Sequence, residues 1–207
     1  MLAKAAGTTD GKVLDPRVKR TRGLLVRAFN ELLAEKGHSS LTVQEIAERA
    51  TVNRATFYAH FRDQYELFDH VISEAFWDEL RIRLPGSPGM DEETLKALVL
   101  ASCHYLASLN TACSRTDQRF KPLIEARVQK ELYGLLLGWI PTSSHAKDDD
   151  FASPEVVASV VSWAIFGAGL QWSRDRSAPP ADETARQVLS VILHGLEDHL
   201  LSPGHKP

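Results

Sequence analysis

The chain has 207 residues, 43% of them hydrophobic and 25% charged, which is the balance of a folded protein and excludes disorder as its main state. A net charge of -3 argues against a protein that coats nucleic acid along its whole surface, but residues 1–62 hold 11 Lys and Arg against 6 Asp and Glu, and the rest holds 13 against 21. A basic first third on an acidic body keeps DNA as a candidate partner, because phosphate binding needs a local excess of cations.

Residues 1–15 are small, polar and aperiodic, which predicts a disordered N-terminal arm leading into the basic cluster Arg17, Lys19, Arg20 and Arg22. Leu25, Phe29, Leu32 and Leu33 then recur at helical spacing as far as Gly37, a C-terminal stop. In "LTVQEIAERA", Thr42 stands as N-cap with Glu45 three residues on, the capping box of a short second helix. After only "TVN" a third helix is expected over roughly Arg54 to His60, with Asn53 as its cap and Phe57 and Phe61 on one face. Asp63 and Glu66 repeat the capping box and open a long helix whose stripe of Phe68, Val71, Ile72, Ala75, Phe76 and Leu80 ends before Pro85.

Further helices are expected over about 91–113, 117–140, 153–174 and 181–201, with "PTSSHAKDDD" and "RSAPPA" as loops. No period-two pattern suggests a strand, so the expected fold is all-α: residues 16–62 form a three-helix helix-turn-helix domain, which a long fourth helix joins to a helical body over residues 63–207. The run "VVASVVSWAIFGAGLQW" is apolar but broken by Ser159 and Ser162, which favours a buried helix and no membrane partner. Cys103 and Cys113 are too few for a disulfide framework, and no leader segment opens the chain, so a cytoplasmic location is expected.

Two helices of about two turns with a three-residue link make a reading head whose second helix enters the major groove. With Phe57 and Phe61 packed against Ile46, Ala47, Ala50 and Phe29, the residues Arg54, Ala55, Thr56, Tyr58 and Ala59 fall largely outside the packed face. Arg54 suits guanine, Thr56 and Tyr58 suit phosphate oxygens, and Ala55 or Ala59 suits a thymine methyl group. His60 has two readings, a DNA contact or a helix-end cap, and the cluster around Arg20 and Arg22 is either a phosphate-binding arm or a solvated face.

The stretch "LTVQEIAERATVNRATFYAHFRDQYEL" resembles the signature of TetR-type transcriptional regulators over about 50 residues. The resemblance implies a dimeric repressor that binds a palindromic double-stranded DNA operator near the nucleoid. It also implies that Thr42 caps the second helix at a phosphate, and that Arg54, Thr56, Tyr58 and His60 lie at the DNA with Arg62 beside them. Two residues depart from the pattern: Thr51 stands at a turn position that tends to want positive φ and usually carries Gly, and Gln64 replaces a Lys.

In such regulators the helical body dimerises and encloses an effector. The small or apolar residues Val157, Val161, Ala164 and Ala168, with Val188, Val191, Ile192 and Gly195, suit either a four-helix dimer interface or an intramolecular core. For a small-molecule effector the candidates are Phe76, Tyr105, Phe120, Trp139, Trp163 and Phe166 as walls and His104 and Arg127 as polar partners, against the plainer reading of core packing. Release would follow from a swing of helix four. The alternative keeps the fold in an activator or co-regulator acting through a protein partner without an effector. His145 beside Asp148, Asp149 and Asp150 reads as a solvated loop, and no nucleophile elbow, phosphate-cradling loop or HExxH is present, so no metal, cofactor or enzymatic activity is expected.

Overall fold

The computed structural model describes residues 15–36, 41–84, 86–112, 121–140 and 152–196. Among these residues the fold is all-α, with eight helices in chain order: α1 (Pro16–Lys36), α2 (Val43–Arg49), α3 (Arg54–His60), α4 (Gln64–Arg83), α5 (Glu92–Ala112), α6 (Lys121–Trp139), α7 (Pro154–Arg174) and α8 (Ala181–Leu196). The expected arm before Asp15, the stop at Gly37, and Pro85, Cys113, Phe120 and the 141–150 loop lie outside the described residues.

The chain divides into two compact units, with divisions inside helices after Ala75 in α4, after Thr111 at the end of α5 and after Arg127 in α6. The first unit contains α1, α2, α3, the first three turns of α4 and the start of α6. Asp15 opens α1, its carboxylate accepting the N–H of Arg17 at 2.8 Å, with Pro16 at the position where a missing N–H is harmless. Leu25, Ala28, Phe29 and Leu32 form the buried stripe of α1, and they meet Ile46 and Ala47 of α2, Phe57 of α3, and Leu67, Phe68 and Ile72 of α4 in a core where Phe29 and Phe68 lie 6.0 Å apart. Of the stripe expected on α4, Val71 is half-buried and Ala75 is exposed. The early turns of α4 supply part of this core, which is why they group with the reading head and not with the body.

The second unit contains the rest of α4 and α6 with α5, α7 and α8. Leu95, Leu98 and Val99 of α5, Leu132 and Leu136 of α6, Ile165 of α7 and Leu189 of α8 are among its buried side chains. Gly169 lets α7 approach α5 closely: a Cβ there would stand 3.0 Å from the Cβ of Ser102 and 3.3 Å from the backbone nitrogen of Cys103. Ser153 caps α7 by accepting the N–H of Val156, with Pro154 next to it. By length and composition α7 would suit a bilayer, but Val157, Ala158, Val161, Ser162, Ile165, Phe166 and Gly169 are all buried in this unit and the helix packs on α8.

Candidate nucleic-acid interface

The reading head is held at its corners by caps. Thr42 and Glu45 close the expected capping box: Oγ1 of Thr42 accepts the N–H of Glu45 at 3.2 Å, and Oε2 of Glu45 accepts the N–H of Thr42 at 3.0 Å. Lys36 reaches the other oxygen of Glu45 at 2.8 Å, and these bonds, Lys36 first, hold the carboxyl below its usual range. Arg49 forks onto both oxygens of Glu35 at 2.8 Å, so α2 is stapled to the end of α1 at two points.

The turn between α2 and α3 is a Schellman motif, in which the N–H of Val52 bonds the carbonyl of Ala47 at 2.9 Å and the N–H of Thr51 bonds that of Glu48 at 3.0 Å. Thr51 occupies the left-handed position of that motif with φ 58°, and it is the one non-glycine residue with positive φ among the described residues. The positive φ expected at this turn is therefore present on a β-branched side chain, in a conformation that glycine adopts without strain.

Asn53 then starts α3, its Oδ1 accepting the N–H of Thr56 at 2.7 Å and the hydroxyl of Thr56 at 2.9 Å. Phe57 is fully buried and Phe61, the C-cap, is 1% exposed, and these two rings orient the helix. Arg54, Ala55, Tyr58 and Ala59 are exposed, with Tyr58 edge-on to Phe57. A cation, two methyl groups and a phenol project from a two-turn helix whose opposite side is anchored. Thr56 is half-buried, and its hydroxyl proton is already committed to Asn53, so a bond from it to a phosphate requires that proton to be redirected. His60 is half-buried, and burial first and Arg22 second hold its imidazole below the usual value, toward the neutral ring.

The second capping box differs from expectation. Asp63 caps α4 by accepting the N–H groups of Tyr65 and Glu66 at 2.9 and 2.8 Å, but Glu66 reaches past Asp63 to the N–H of Arg62 at 2.7 Å. The same carboxylate oxygen accepts Nε of Arg62 at 3.1 Å, so the exposed Arg62 is partly neutralised. Gln64 is half-buried at the first position of α4. Tyr65, 52% exposed beside it, is an aromatic surface group that periodicity did not single out, because a lone tyrosine in a first helical turn carries no pattern.

The basic cluster splits. Arg17, Lys19 and Arg20 are exposed on α1, whereas Arg22 turns inward: its Nε donates to Nε2 of His70 at 3.3 Å and its guanidinium lies 4.4 Å from the centre of the Phe61 ring. Only the histidine 48 residues away on α4 would have signalled this inward role, and no local spacing links it to Arg22.

In the second unit the effector candidates do not share one lining. Phe76 and Tyr105 are buried against each other with centroids 5.4 Å apart. His104 is exposed, stacked on Trp172 and bonded to Arg83. Trp163 is 57% exposed and meets Phe166 edge to face, and Trp139 is half-buried. Arg127 belongs to the first unit, where it binds Asp69 at 2.7 Å.

The dimer candidates separate as well. Val157, Val161 and Ile192 are buried within their own chain, so a partner cannot reach them without repacking; Ala168 and Val188 are half-buried, Ala164 and Val191 are exposed, and the side-chain surroundings of Gly195 lie outside the described residues. The large apolar side chains that α7 does expose are Val156, Val160 and Trp163, spaced by four and three residues along the opposite stripe, with Val191 on α8. The sequence signal was present, but a helix apolar nearly all round shows two stripes and does not say which is turned inward.

Residues 25–71 match the family model described as bacterial regulatory proteins, tetR family. The chain is 28% identical over 185 residues to the uncharacterised HTH-type transcriptional regulator YxbF of Bacillus subtilis, covering 87% of this chain and 47% of that protein. It therefore spans about half the length of that relative. It is 27% identical over 179 residues to the HTH-type transcriptional repressor KstR2 of Rhodococcus jostii, covering 80% of this chain and 85% of that one. Among solved structures, the fatty acid degradation regulator FadR of Bacillus halodurans superposes with a TM-score of 0.51 at 18% identity, over 89% of this chain and 98% of that chain, which supports the fold.

Proposed function

By its DNA-binding domain the chain belongs to the TetR family of bacterial regulatory proteins, and from that premise we propose that it is a homodimeric repressor released from a palindromic operator by a small molecule. The observation that carries this reading is α3, where Phe57 and Phe61 are buried while Arg54, Ala55, Tyr58 and Ala59 face outward from a two-turn helix. Arg54 has the fork to pair with guanine, the alanines have methyl groups for thymine, and Tyr58 has a hydroxyl for a phosphate. Arg17, Lys19 and Arg20 add exposed cations on α1 for the backbone.

Dimerisation follows from the exposed stripe of Val156, Val160 and Trp163 with Val191, an apolar surface that a partner copy of α7 and α8 would cover in a four-helix interface. Two-fold symmetry then sets two reading helices about 34 Å apart, one turn of DNA. The sign of regulation rests on the likeness to a relative named as a repressor. The effector site is proposed in the second unit around Phe76 and Tyr105, whose buried rings give the apolar wall that such a ligand needs. α4 runs unbroken from the reading head's core into that unit, and its swing is the proposed switch. A cytoplasmic site of action follows from this role.

The test is operator binding with duplex recovered by the chain from a random-sequence library. Arg54→Ala and Tyr58→Ala are each expected to weaken binding roughly 10- to 100-fold with the fold intact. Unchanged affinity in both would remove α3 from the DNA.

A further inference from the structure

One cation of the reading head faces its interior. Arg22 leaves α1 half-buried, donates from Nε to Nε2 of His70 on α4 at 3.3 Å, and lays its guanidinium over Phe61, 4.4 Å from the ring centre. Phe61 is the residue on which α3 ends, its N–H bonding the carbonyl of Phe57 at 2.9 Å, and its ring lies 5.7 Å from that of His70. A single guanidinium therefore touches the C-cap residue of α3 and a side chain of α4.

That contact depends on the proton of His70. To accept from Arg22, Nε2 must be unprotonated, so the ring is neutral and carries its proton on Nδ1. Burial is the main cause that holds the imidazole below its usual value; Arg22 from α1 and Arg127 from α6 act in the same direction, and Glu74 and Asp69 on α4 oppose them. Oε1 of Glu74 stands 3.6 Å from the same Nε2. A proton on that nitrogen takes away the acceptor that Arg22 uses and creates a donor for which Glu74 is the partner. The switch has two defined positions. His60, at the end of α3, is a second imidazole held toward the neutral form by burial and Arg22.

We propose that Arg22 is a positioning residue for operator reading and not a phosphate contact: neutral His70 holds it against Phe61 and fixes the end of α3 on α4, and protonated His70 turns to Glu74 and frees it. The inference rests on the DNA-binding reading of α3. Arg54 and Tyr58 sit on a helix of only 7 residues, so loosening one end displaces both reading groups together. A histidine whose folded value is depressed contributes to the clamp above its ordinary value of 6.5 and loses that contribution as pH falls through the folded value, so operator binding weakens on acidification.

The experiment compares wild type, Arg22→Gln, Arg22→Lys and His70→Gln on duplex selected by the wild type from a random-sequence library, across salt concentration and from about pH 8 to about pH 5.5, with circular dichroism at each pH to confirm the fold. His70→Gln keeps a neutral acceptor at every pH. It is expected to bind like wild type at the alkaline end and to lose less affinity than wild type on acidification, because it has no proton to gain at that position. Arg22→Gln is expected to lose about 10-fold in affinity with an unchanged slope of log affinity against log salt. Arg22→Lys is not expected to restore it, since an ammonium lacks the planar fork that covers a ring and bonds sideways at once. A slope smaller by about 0.9 in Arg22→Gln would make Arg22 a phosphate contact and overturn the proposal. Equal acid loss in wild type and His70→Gln would overturn it too. If the wild type selects no duplex, the DNA reading itself fails, and the clamp is still read by NMR titration of His70 without DNA: Arg22→Gln should raise its pKa, and no change overturns the clamp.

Discussion

Replacing Thr51 by glycine should make the reading head more stable. Thr51 holds φ 58° at the position after the C-cap of α2, where its N–H and that of Val52 close a Schellman motif. A left-handed backbone costs an L-residue about 1–2 kcal/mol, and a β-branched side chain stands at the upper part of that range because its two γ atoms crowd the backbone. Glycine removes this strain but regains about 0.4–1 kcal/mol of freedom in the unfolded chain. The side chain is exposed, so little packing is lost with it. The balance is a gain of about 1 kcal/mol for Thr51→Gly, which corresponds to about 2–4 °C in Tm for a chain of this size. Urea unfolding followed by far-UV circular dichroism measures it as a rise in midpoint at unchanged slope. Thr51→Ala relieves only the branching and should fall between the two. A Thr51→Gly variant no more stable than wild type, or an alanine variant equal to the glycine one, would refute the strain argument.

Thr42→Ala removes the bond to the N–H of Glu45 and should destabilise the reading head by about 1 kcal/mol in the same urea assay. Gly169→Ala forces a methyl group to 3.0 Å from the Cβ of Ser102 and 3.2 Å from its carbonyl carbon, so it should destabilise the protein by about 1–3 kcal/mol, read as a lower thermal midpoint. The Cys103 thiol is fully buried and burial pushes it up to about 11, so it should react with a thiol reagent only on unfolding, at a rate that rises steeply with denaturant. Val160→Asp places a charge on the exposed stripe of α7, and sedimentation is expected to give a dimer for the wild type and a monomer for the variant, whereas Val157→Asp, on the buried stripe, should lower the thermal midpoint instead.

Local chemistry made the reading head legible. Capping residues, a three-residue link and two phenylalanines four apart depend only on neighbours in sequence, and they located α2 and α3 together with the outward set of Arg54, Ala55 and Tyr58. Thr51 was legible by a different route, through the resemblance, since it stands at a turn position where the family pattern usually carries Gly. What the sequence did not disclose depends on contacts between distant helices. Arg22 sits in a basic cluster that suggests a phosphate arm, and only its partner 48 residues away turns it inward. Glu66 was placed correctly as a cap residue but bonds one residue earlier than the pattern implies, because Arg62 offers it both an N–H and a guanidinium. Both stripes of α7 carry apolar side chains, so composition marked the helix and packing decided which stripe is buried. The effector candidates share size and not position: large side chains at helical spacing report burial, and burial in one protein has many addresses.

The central claim is that the exposed face of α3 reads DNA sequence, and base preference measures it most directly. Wild-type protein and Arg54→Ala are each used to enrich duplexes from a random library at moderate salt, and the recovered sites are sequenced. The account predicts that the wild type enriches an inverted repeat with half-site centres about one turn apart. It also predicts that Arg54→Ala enriches the same repeat with one base pair in each half relaxed. Enrichment of no common site by the wild type, or an identical preference in the variant, would contradict it.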